Sequence, residues 1–298
     1  MTFSDIIKTT KIPRLETEIL SAFLLKKNRE FLLTHPEIKI TPAVFKKYQE
    51  LSKKYLAGWS IAALTGKKDF YGREFIVNEH VLIPRPETEL LVDNMLDKLI
   101  DYSEKQPPFI IDIGTGSGVI IISLALEIAK KNKKVLDRVE FRGVDISGPA
   151  LKIALKNAIY YKQSKHLKFL RGNLLEPLVT EKDLPYLLNS HLFIAANLPY
   201  LTPKQIASSP SIRKEPRLAL VAGQDGLKYY RQLFGQIQTL FKDRDASGKR
   251  MITVFCEIDH TQVKGITALA KEKFVCLEII IKKDLAGLNR LVIITLKK

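Results

Sequence analysis

Residues 110–118 read Ile110-Ile-Asp112-Ile-Gly114-Thr-Gly116-Ser-Gly118, so an apolar run leads directly into three alternating glycines. The apolar run predicts a buried strand, and the apolar residues after Gly118 predict a helix. Glycines between a strand and a helix let the backbone turn sharply and let a ligand come close, because they carry no Cβ atom. The stretch therefore predicts a ligand-binding turn at the carboxyl end of a strand.

Two common glycine-rich motifs do not fit this stretch. A dinucleotide-binding Gly-x-Gly-x-x-Gly would need its third glycine where the chain has Val119 or Ile121. A P-loop is excluded because no glycine stands at the required distance before Gly66-Lys67. The remaining pattern, Asp-x-Gly-x-Gly-x-Gly over residues 112–118, resembles the first motif of class I S-adenosylmethionine (SAM) methyltransferases. That resemblance implies S-adenosyl-L-methionine as the cofactor.

From residue 109 onward the chain alternates between strand and helix patterns. Strands are predicted at 109–113, 139–145, 167–170, 191–197, 250–257, 274–281 and 290–296, and helices at 118–131, 149–161, 227–241 and 261–273. This alternation predicts an α/β fold with a mostly parallel sheet covered on both faces. Only about eight residues (282–289) separate the last two strands, so these must pair antiparallel. The resemblance implies a Rossmann-like sheet of seven strands ending in this antiparallel hairpin.

The first part of the chain has a different pattern. Leu15, Ile19, Leu20, Phe23 and Leu24 form an apolar stripe at helical spacing, and a second helix is predicted to begin at Thr41-Pro42. Near Lys67 the pattern changes to alternation, over 70–77 and then 81–83, which predicts a short hairpin. We expect a helical N-terminal domain at 1–66, a hairpin linker at 67–83 and a methyltransferase domain at 84–298.

The composition of the chain restricts the expected cellular location of the protein and the partners it could bind. No apolar run approaches the ~18 residues of a membrane span, and no secretory signal opens the chain, so we expect a cytoplasmic protein without membrane contact. The net charge of +16 is compatible with contact with RNA or the ribosome. However, the excess is spread evenly and consists mainly of lysine, which favours an ordinary solvated surface.

Metal chemistry is not expected. The two cysteines, Cys256 and Cys276, lie in separate strand-like stretches, and the five histidines are scattered with no pair four residues apart.

Two further strand ends carry candidate cofactor residues. The second predicted strand ends at Asp145, whose carboxylate suits the two hydroxyls of a ribose. The third leads into Gly172-Asn173-Leu174, which in SAM methyltransferases borders the adenine. The expected cofactor-binding residues are Asp112, Gly114, Thr115, Gly116, Ser117, Gly118, Asp145, Asn173, Leu174 and Asn197.

The fourth predicted strand ends in Asn197-Leu198-Pro199-Tyr200. An asparagine oxygen can accept one N–H of a planar NH₂ group, a backbone carbonyl can accept the other, and a tyrosine ring can cover one face. The tetrapeptide resembles the Asn-Pro-Pro-Tyr motif of methyltransferases that act on amide or amine nitrogens. We therefore expect these four residues to be catalytic.

Longer stretches narrow the resemblance to one family. They are Ser60–Gly66 with Phe70-Tyr71, Val81–Val92 with its Ile-Pro-Arg-Pro-Glu-Thr-Glu, Glu215–Leu227, and Asp284–Arg290. Over residues 55–298 the chain resembles the release factor glutamine N5-methyltransferases, the PrmC/HemK family. The resemblance implies methyl transfer from SAM to the side-chain amide of the glutamine in the Gly-Gly-Gln loop of peptide chain release factors. It also implies that the N-terminal helices grip the release factor.

Two residues depart from the family pattern, and they leave alternatives open. Leu198 replaces the usual first proline, and Asp259 stands where the family favours glycine, which puts the local turn in doubt. Asn-Leu-Pro-Tyr also resembles ribosomal RNA adenine N6-methyltransferases, but those enzymes carry their helical domain after the sheet. A ribosomal protein glutamine as the target, and a non-enzymatic ribosome-binding module, are the remaining alternatives.

Overall fold

The structure is a computed structural model that describes residues 1–100, 108–180, 182–209, 212–242, 251–275 and 277–297. Arg250 and Cys276, which fall in two predicted strands, lie outside the described residues. Within the described ranges, no helix has both the length and the apolar character that a membrane span needs.

Five helices form the N-terminal part of the chain. They are α1 (Phe3–Thr9), α2 (Arg14–Leu25), α3 (Arg29–Thr34), α4 (Pro42–Leu56) and α5 (Ile61–Thr65). Four of them begin where a side chain accepts a backbone N–H of the first turn, and the capping residues are Thr2, Asn28, Thr41 and Ser60. Leu20, Leu32 and Tyr48 lie in a core of their own between these helices.

The buried face of α2 differs from the apolar stripe that its spacing predicts. Leu15 is 49% exposed and Phe23 is 40% exposed, whereas Glu18 is only 4% exposed. The Glu18 carboxylate accepts from Arg14 at 2.9 Å and from Arg29 at 2.8 Å. This pairing compensates the burial of the carboxylate, which hydrophobic periodicity cannot anticipate.

A two-stranded hairpin follows, formed by β1 (Lys67–Phe70) and β2 (Arg73–Ile76). Its turn, Tyr71-Gly72, has φ of 52° and 68°, and left-handed conformations at both turn residues suit a tight hairpin. The prediction that residues 81–83 form a strand of the hairpin is wrong. Val81 and Ile83 instead pack as irregular chain against Ala150 and Ile153.

The rest of the chain builds a seven-stranded sheet. Its strands are β3 (Phe109–Ile113), β4 (Glu140–Asp145), β5 (Leu167–Arg171), β6 (Leu192–Ala196), β7 (Met251–Glu257), β8 (Leu277–Lys283) and β9 (Asn289–Lys297). Its helices are α6 (Glu89–Ile100), α7 (Val119–Lys131), α8 (Lys133–Leu136), α9 (Gly148–Tyr160), α10 (Leu184–Asn189), α11 (Pro203–Ser208), α12 (Lys228–Lys242) and α13 (Val263–Lys273).

The strand order is β5-β4-β3-β6-β7-β9-β8. Strands β3 to β7 pair in parallel, and β9 pairs antiparallel with both β7 and β8. The expected fold class is thus confirmed, including the antiparallel terminal hairpin. The sequence did not predict that β9 lies between β7 and β8.

Both faces of the sheet are covered, as a parallel sheet requires. Side chains of α12 and α13 pack on one face, with Phe234 and Ile266 fully buried. Side chains of α6 and α7 pack on the other, with Met95 and Ile121 fully buried. The polar functional groups are therefore left to the ends of the strands.

One buried side chain joins three parts of this fold. Asn157 of α9 is fully buried, and its Oδ1 accepts from the Ile76 N–H at 2.8 Å. Its Nδ2 donates to the Ile76 carbonyl and to the Ser117 carbonyl, both at 2.9 Å. The hairpin and the glycine-rich turn are thereby fixed to the same helix.

We expect Asn157→Ala to lower the free energy of unfolding by about 3 kcal/mol, because three buried or partly buried backbone groups lose their partner. Chemical denaturation measures the change. Asn94→Ala is the matched control, since the Asn94 side chain donates to the Leu90 carbonyl within its own helix. Equal effects of the two substitutions would show that Asn157 does not hold these parts together.

Candidate active site

The glycine-rich turn between β3 and α7 has the backbone that its glycines allow. Gly114, Gly116 and Gly118 have φ of 72°, 56° and 80°, in the left-handed region that disfavours other residues. The N–H groups of Gly114 and Thr115 both donate to the Val144 carbonyl, at 2.8 and 3.0 Å. The turn is thereby joined to the end of β4, the neighbouring strand.

Asp145 lies at the tip of β4 beside this turn. Its Oδ2 accepts from the Gly116 N–H at 2.9 Å, and its Oδ1 accepts from the Ser147 N–H at 2.8 Å. Burial raises the pKa of Asp145, and these backbone hydrogen bonds oppose the rise. Each oxygen keeps a further lone pair, so the carboxylate can still accept hydrogen bonds from a ligand.

Asp112 lies beneath the turn rather than in the cavity. It is fully buried, and its Oδ2 accepts from the Thr115 hydroxyl at 2.6 Å. Burial raises its pKa to about 7, and the negative charge of Asp145 adds to the rise. The hydrogen bond to Thr115 helps to order the turn, whereas the expected contact of Asp112 with the cofactor stays a prediction.

A single cavity collects most of the predicted site residues. Those that line it are Gly114, Thr115, Gly116, Ser117, Asp145, Asn173, Leu174, Asn197, Leu198 and Pro199. Leu174 has a φ of 52°, an uncommon conformation for a residue with a branched side chain. Such strain is typical of binding sites, and here it places a buried leucine against the cavity.

Asn197 follows β6 and is oriented by a residue that the sequence analysis did not single out. Its Nδ2 donates to the Thr88 hydroxyl at 3.0 Å, and Thr88 lines the same cavity. The described residues supply no donor for Oδ1 of Asn197. The side chain therefore has its carbonyl oxygen available as a hydrogen-bond acceptor for use in the cavity.

Leu198 occupies its position without distorting the turn. A Cβ atom at Gly114 would lie 3.3 Å from the Leu198 side chain, so the leucine packs closely on the glycine-rich turn. Tyr230, a fully buried residue of α12, lies beside the start of this segment. The Tyr230 hydroxyl in turn reaches the Ala196 carbonyl at 2.8 Å, which fixes the start of the Asn-Leu-Pro-Tyr segment.

Tyr200 lies behind the cavity wall. Its hydroxyl donates to Oε1 of Glu257 at 3.3 Å, and burial raises its pKa. Its carbonyl accepts from the Gln262 side chain at 2.8 Å. The turn around Asp259 needs no glycine, because Asp259 has an extended φ of -68° and caps the residues that follow.

One wall of the cavity comes from the two longest stretches of family resemblance. Arg85 forms an ion pair with Glu215, which is largely buried. The second oxygen of Glu215 accepts from the Ile83 N–H at 3.1 Å. This clamp holds residues 81–85 against residues 215–219, and both segments line the cavity.

Known proteins match the chain over most of its length. A family model described as the PrmC N-terminal domain matches residues 3–66. A Bacillus subtilis (strain 168) protein named release factor glutamine methyltransferase is 35% identical over 249 residues, which cover 83% of this chain and 77% of that protein. A Bacillus cereus protein of the same name is 33% identical over 278 residues, covering 92% and 90%. The chain belongs to the release factor glutamine methyltransferase family.

Membership confirms the family and the enzyme class that the sequence predicts. Among solved structures, the hMettl16 catalytic domain in complex with MAT2A 3'UTR hairpin 1 aligns with a TM-score of 0.55 at 13% identity. The alignment covers 93% of this methyltransferase and 90% of that chain. At this identity the likeness supports the shared methyltransferase fold and nothing finer.

The individual roles of the predicted site residues remain predictions. The structure brings ten of them to one cavity and places Asp112, Gly118 and Tyr200 just outside its lining. The structure also places Arg85, Thr88 and Glu215 at the site. These residues lie within the stretches of family resemblance, but no sequence motif marks them individually as functional.

Proposed function

We propose that this methyltransferase transfers a methyl group from SAM to the side-chain amide nitrogen of the glutamine in the Gly-Gly-Gln loop of peptide chain release factors. The observation that carries the proposal is the orientation of Asn197. Because Thr88 accepts from Nδ2, Oδ1 is available to accept an N–H from a substrate amide. The acceptor stands next to a glycine-rich turn of the kind that binds SAM.

The residues present fit SAM. The turn leaves backbone exposed at Gly114 and Gly116, and Asp145 keeps acceptor capacity for two ribose hydroxyls. Asn173 and the strained Leu174 line the cavity beyond Asp145 and would border the adenine. When bound, SAM would supply an electrophilic methyl group on a sulfonium.

The chain's own contribution is to position a poor nucleophile. An amide nitrogen has a delocalised lone pair, so alignment must supply much of the catalysis, up to ~7–11 kcal/mol in the limiting case. Asn197 Oδ1 and the Leu198 carbonyl would accept the two N–H groups and so direct the nitrogen at the methyl. Tyr200, anchored from behind by Glu257 and Gln262, would support the segment at the amide plane. Formation of the N–C bond would break the S–CH₃ bond of the sulfonium, and one N–H proton of the amide would pass to solvent water.

The first 66 residues would serve to recognise the body of the release factor. They fold around their own core, and residues 3–66 match the PrmC N-terminal domain. The proposed division is 1–66, a linker at 67–83 and a methyltransferase domain at 84–298, although Val81 and Leu82 of the linker line the cavity. Such a substrate places the enzyme in the cytoplasm.

The decisive test is mass spectrometry of a purified release factor after incubation with the enzyme and SAM. We expect one added methyl on the Gly-Gly-Gln glutamine, and none when that glutamine is replaced by asparagine. Small-subunit ribosomal RNA and ribosomal proteins serve as parallel substrates. Methylated adenine in the RNA, or a methylated ribosomal protein, with an unmodified release factor would contradict the proposal.

We expect Asp145→Ala to weaken SAM binding, because a charged acceptor loses hydrogen bonds worth about 1.5–3 kcal/mol. That loss corresponds to roughly a 10- to 150-fold rise in the dissociation constant, measured by calorimetry. Asp97→Ala is the control, since Asp97 is an exposed carboxylate on α6. An unchanged constant for Asp145→Ala would remove Asp145 from the cofactor site.

We expect Asn197→Ala to lower kcat by about 100-fold or more, because misplacing a reacting group by about an ångström costs this much. SAM affinity should change far less, since Asn197 mainly holds the substrate amide. Asn132→Ala provides a matched control, because the Asn132 side chain accepts from the Lys134 N–H at the start of α8. A variant that loses SAM binding while its kcat at saturating SAM stays high would contradict this role.

A further inference from the structure

The turn between β8 and β9 exposes an uninterrupted apolar run, Leu285-Ala286-Gly287-Leu288. All four residues are exposed, with Leu285 fully exposed and Leu288 41% exposed. Turns between strands are usually rich in polar residues, because these bond to the local backbone and to water. A run of three or four exposed apolar residues is unfavourable unless it serves a function. These four residues, the apolar tip, are therefore a candidate contact surface.

The apolar tip is held in a fixed shape by the residues on either side of it. Asp284 Oδ1 accepts from the N–H groups of Ala286 and Leu288, both at 3.0 Å. Asp284 Oδ2 accepts from Nε of Arg290 at 3.1 Å, and Nη1 of Arg290 donates to the Ile258 carbonyl at 3.2 Å. The tip is thereby tied to the chain that follows β7. A surface that is ordered before binding loses less conformational entropy when a partner binds.

The sheet topology places the apolar tip at the edge of the sheet that carries the cavity. Strand β9 is antiparallel to β7 and begins where β7 ends, with Leu291 opposite Glu257. Strand β7 is parallel to β6, with Cys256 opposite Ala196. Asn197 is the residue after Ala196, so Asn197 and the tip emerge from the same edge of the sheet.

The separation between Asn197 and the apolar tip is small on the scale of a protein interface. Neighbouring strands lie about 4.8 Å apart, so the start of β9 is about 10 Å from the end of β6 along the edge. An interface of standard size buries about 800 Å² on each partner, which corresponds to a patch about 30 Å across. A protein whose glutamine reaches Asn197 can therefore contact the tip at the same time.

The chemistry of the tip favours a protein over a nucleic acid or a second copy of this chain. Residues 285–289 contain no lysine or arginine, and the guanidinium of Arg290 is paired with Asp284, so the tip offers little to a phosphate backbone. Strand β8 is an edge strand, but Lys282 and Lys283 at its end are exposed, and such charges oppose pairing with another copy of the strand. Apolar side chains gain by being covered with the apolar surface of a partner.

We propose that the apolar tip is a docking contact for the release factor and packs against an apolar surface beside the Gly-Gly-Gln loop. The proposal rests on the proposed function, since the substrate of that reaction is the partner that must occupy this edge of the sheet. The tip binds the substrate protein without touching the reacting atoms. It is separate from the contact proposed for residues 1–66.

The first experiment measures steady-state kinetics with full-length release factor for the wild type, Leu285→Asp and Leu285→Met. Leu285→Asp should raise KM for the release factor about 10- to 100-fold, because a leucine is no longer buried and a charge enters the contact. The kcat at saturating release factor should stay within about twofold, since loss of substrate binding alone leaves kcat unchanged. Leu285→Met keeps an apolar side chain of similar volume and should keep KM within about threefold of wild type.

Val275→Asp is the matched control for these variants. Val275 is 99% exposed and precedes β8, so it lies at the opposite end of this strand from the apolar tip. The control should leave KM for the release factor unchanged. An unchanged KM in Leu285→Asp, or an equal rise in Val275→Asp, would overturn the proposal.

The second experiment uses calorimetry to separate docking from damage to the site. In the presence of S-adenosylhomocysteine, Leu285→Asp should bind the release factor about 10- to 100-fold more weakly than wild type does. Its SAM affinity and its unfolding temperature should equal those of wild type. A variant that also loses SAM binding, or that sediments as a monomer where wild type is a dimer, would overturn the proposal.

The same measurements distinguish this proposal from the proposed function. Binding that depends on Leu285, without methylation of the release factor, would support the docking contact and count against the proposed function. Methylation with the same KM for wild type and Leu285→Asp would support the proposed function and overturn the docking contact. A wild type that neither binds nor methylates the release factor would overturn both.

Discussion

The central strand β3 pairs in parallel with β4 on one side and with β6 on the other, and the functional site depends on the register of these two pairings. Ile113 lies opposite Val144 and opposite Ala196. The next residues along the three strands are Gly114, Asp145 and Asn197, so they emerge at one level of the sheet edge. A shift by one residue in either pairing would separate them and would turn buried side chains outward.

Hydrogen bonds at the strand ends then fix the orientation of the side chains that this register brings together. The backbone of the glycine-rich turn fixes Asp145, and Thr88 fixes Asn197. Asn157 ties the turn to the hairpin, and Tyr230 ties the start of the Asn-Leu-Pro-Tyr segment to α12. Asp145, Asn197 and Thr88 line the cavity, whereas Asn157 and Tyr230 lie behind its surface. Their hydrogen bonds restrict which polar atoms of the site face the cavity and can bind a ligand.

Much of the fold and part of the site could be predicted from the sequence. The strand–helix alternation, the short final hairpin and the three alternating glycines are local patterns, and each corresponds to an element of the structure. The order in which β9 enters between β7 and β8 is a long-range property that no local pattern contains. The exposed Leu15 and Phe23 show the same limit, because Glu18 is buried only through its pairing with two arginines.

One physical reason explains why some site residues could not be predicted from the sequence. Thr88, Arg85 and Glu215 are ordinary polar residues whose partners lie more than a hundred positions away in the chain. Nothing in their immediate sequence marks such contacts, and only the family resemblance drew attention to the stretches that contain them. Leu198 could be recognised as a departure from the family pattern, but its close packing on the glycine-rich turn could be seen only in the structure.

The proposed reaction depends most directly on the orientation of the Asn197 amide toward a glutamine substrate. A crystal structure of the enzyme with S-adenosylhomocysteine and a release factor would measure it. We predict that the glutamine amide nitrogen lies about 2.7–3.2 Å from Asn197 Oδ1, with Nδ2 still bound to Thr88. A glutamine bound away from Asn197, or an Asn197 that presents Nδ2 to the substrate, would contradict the account.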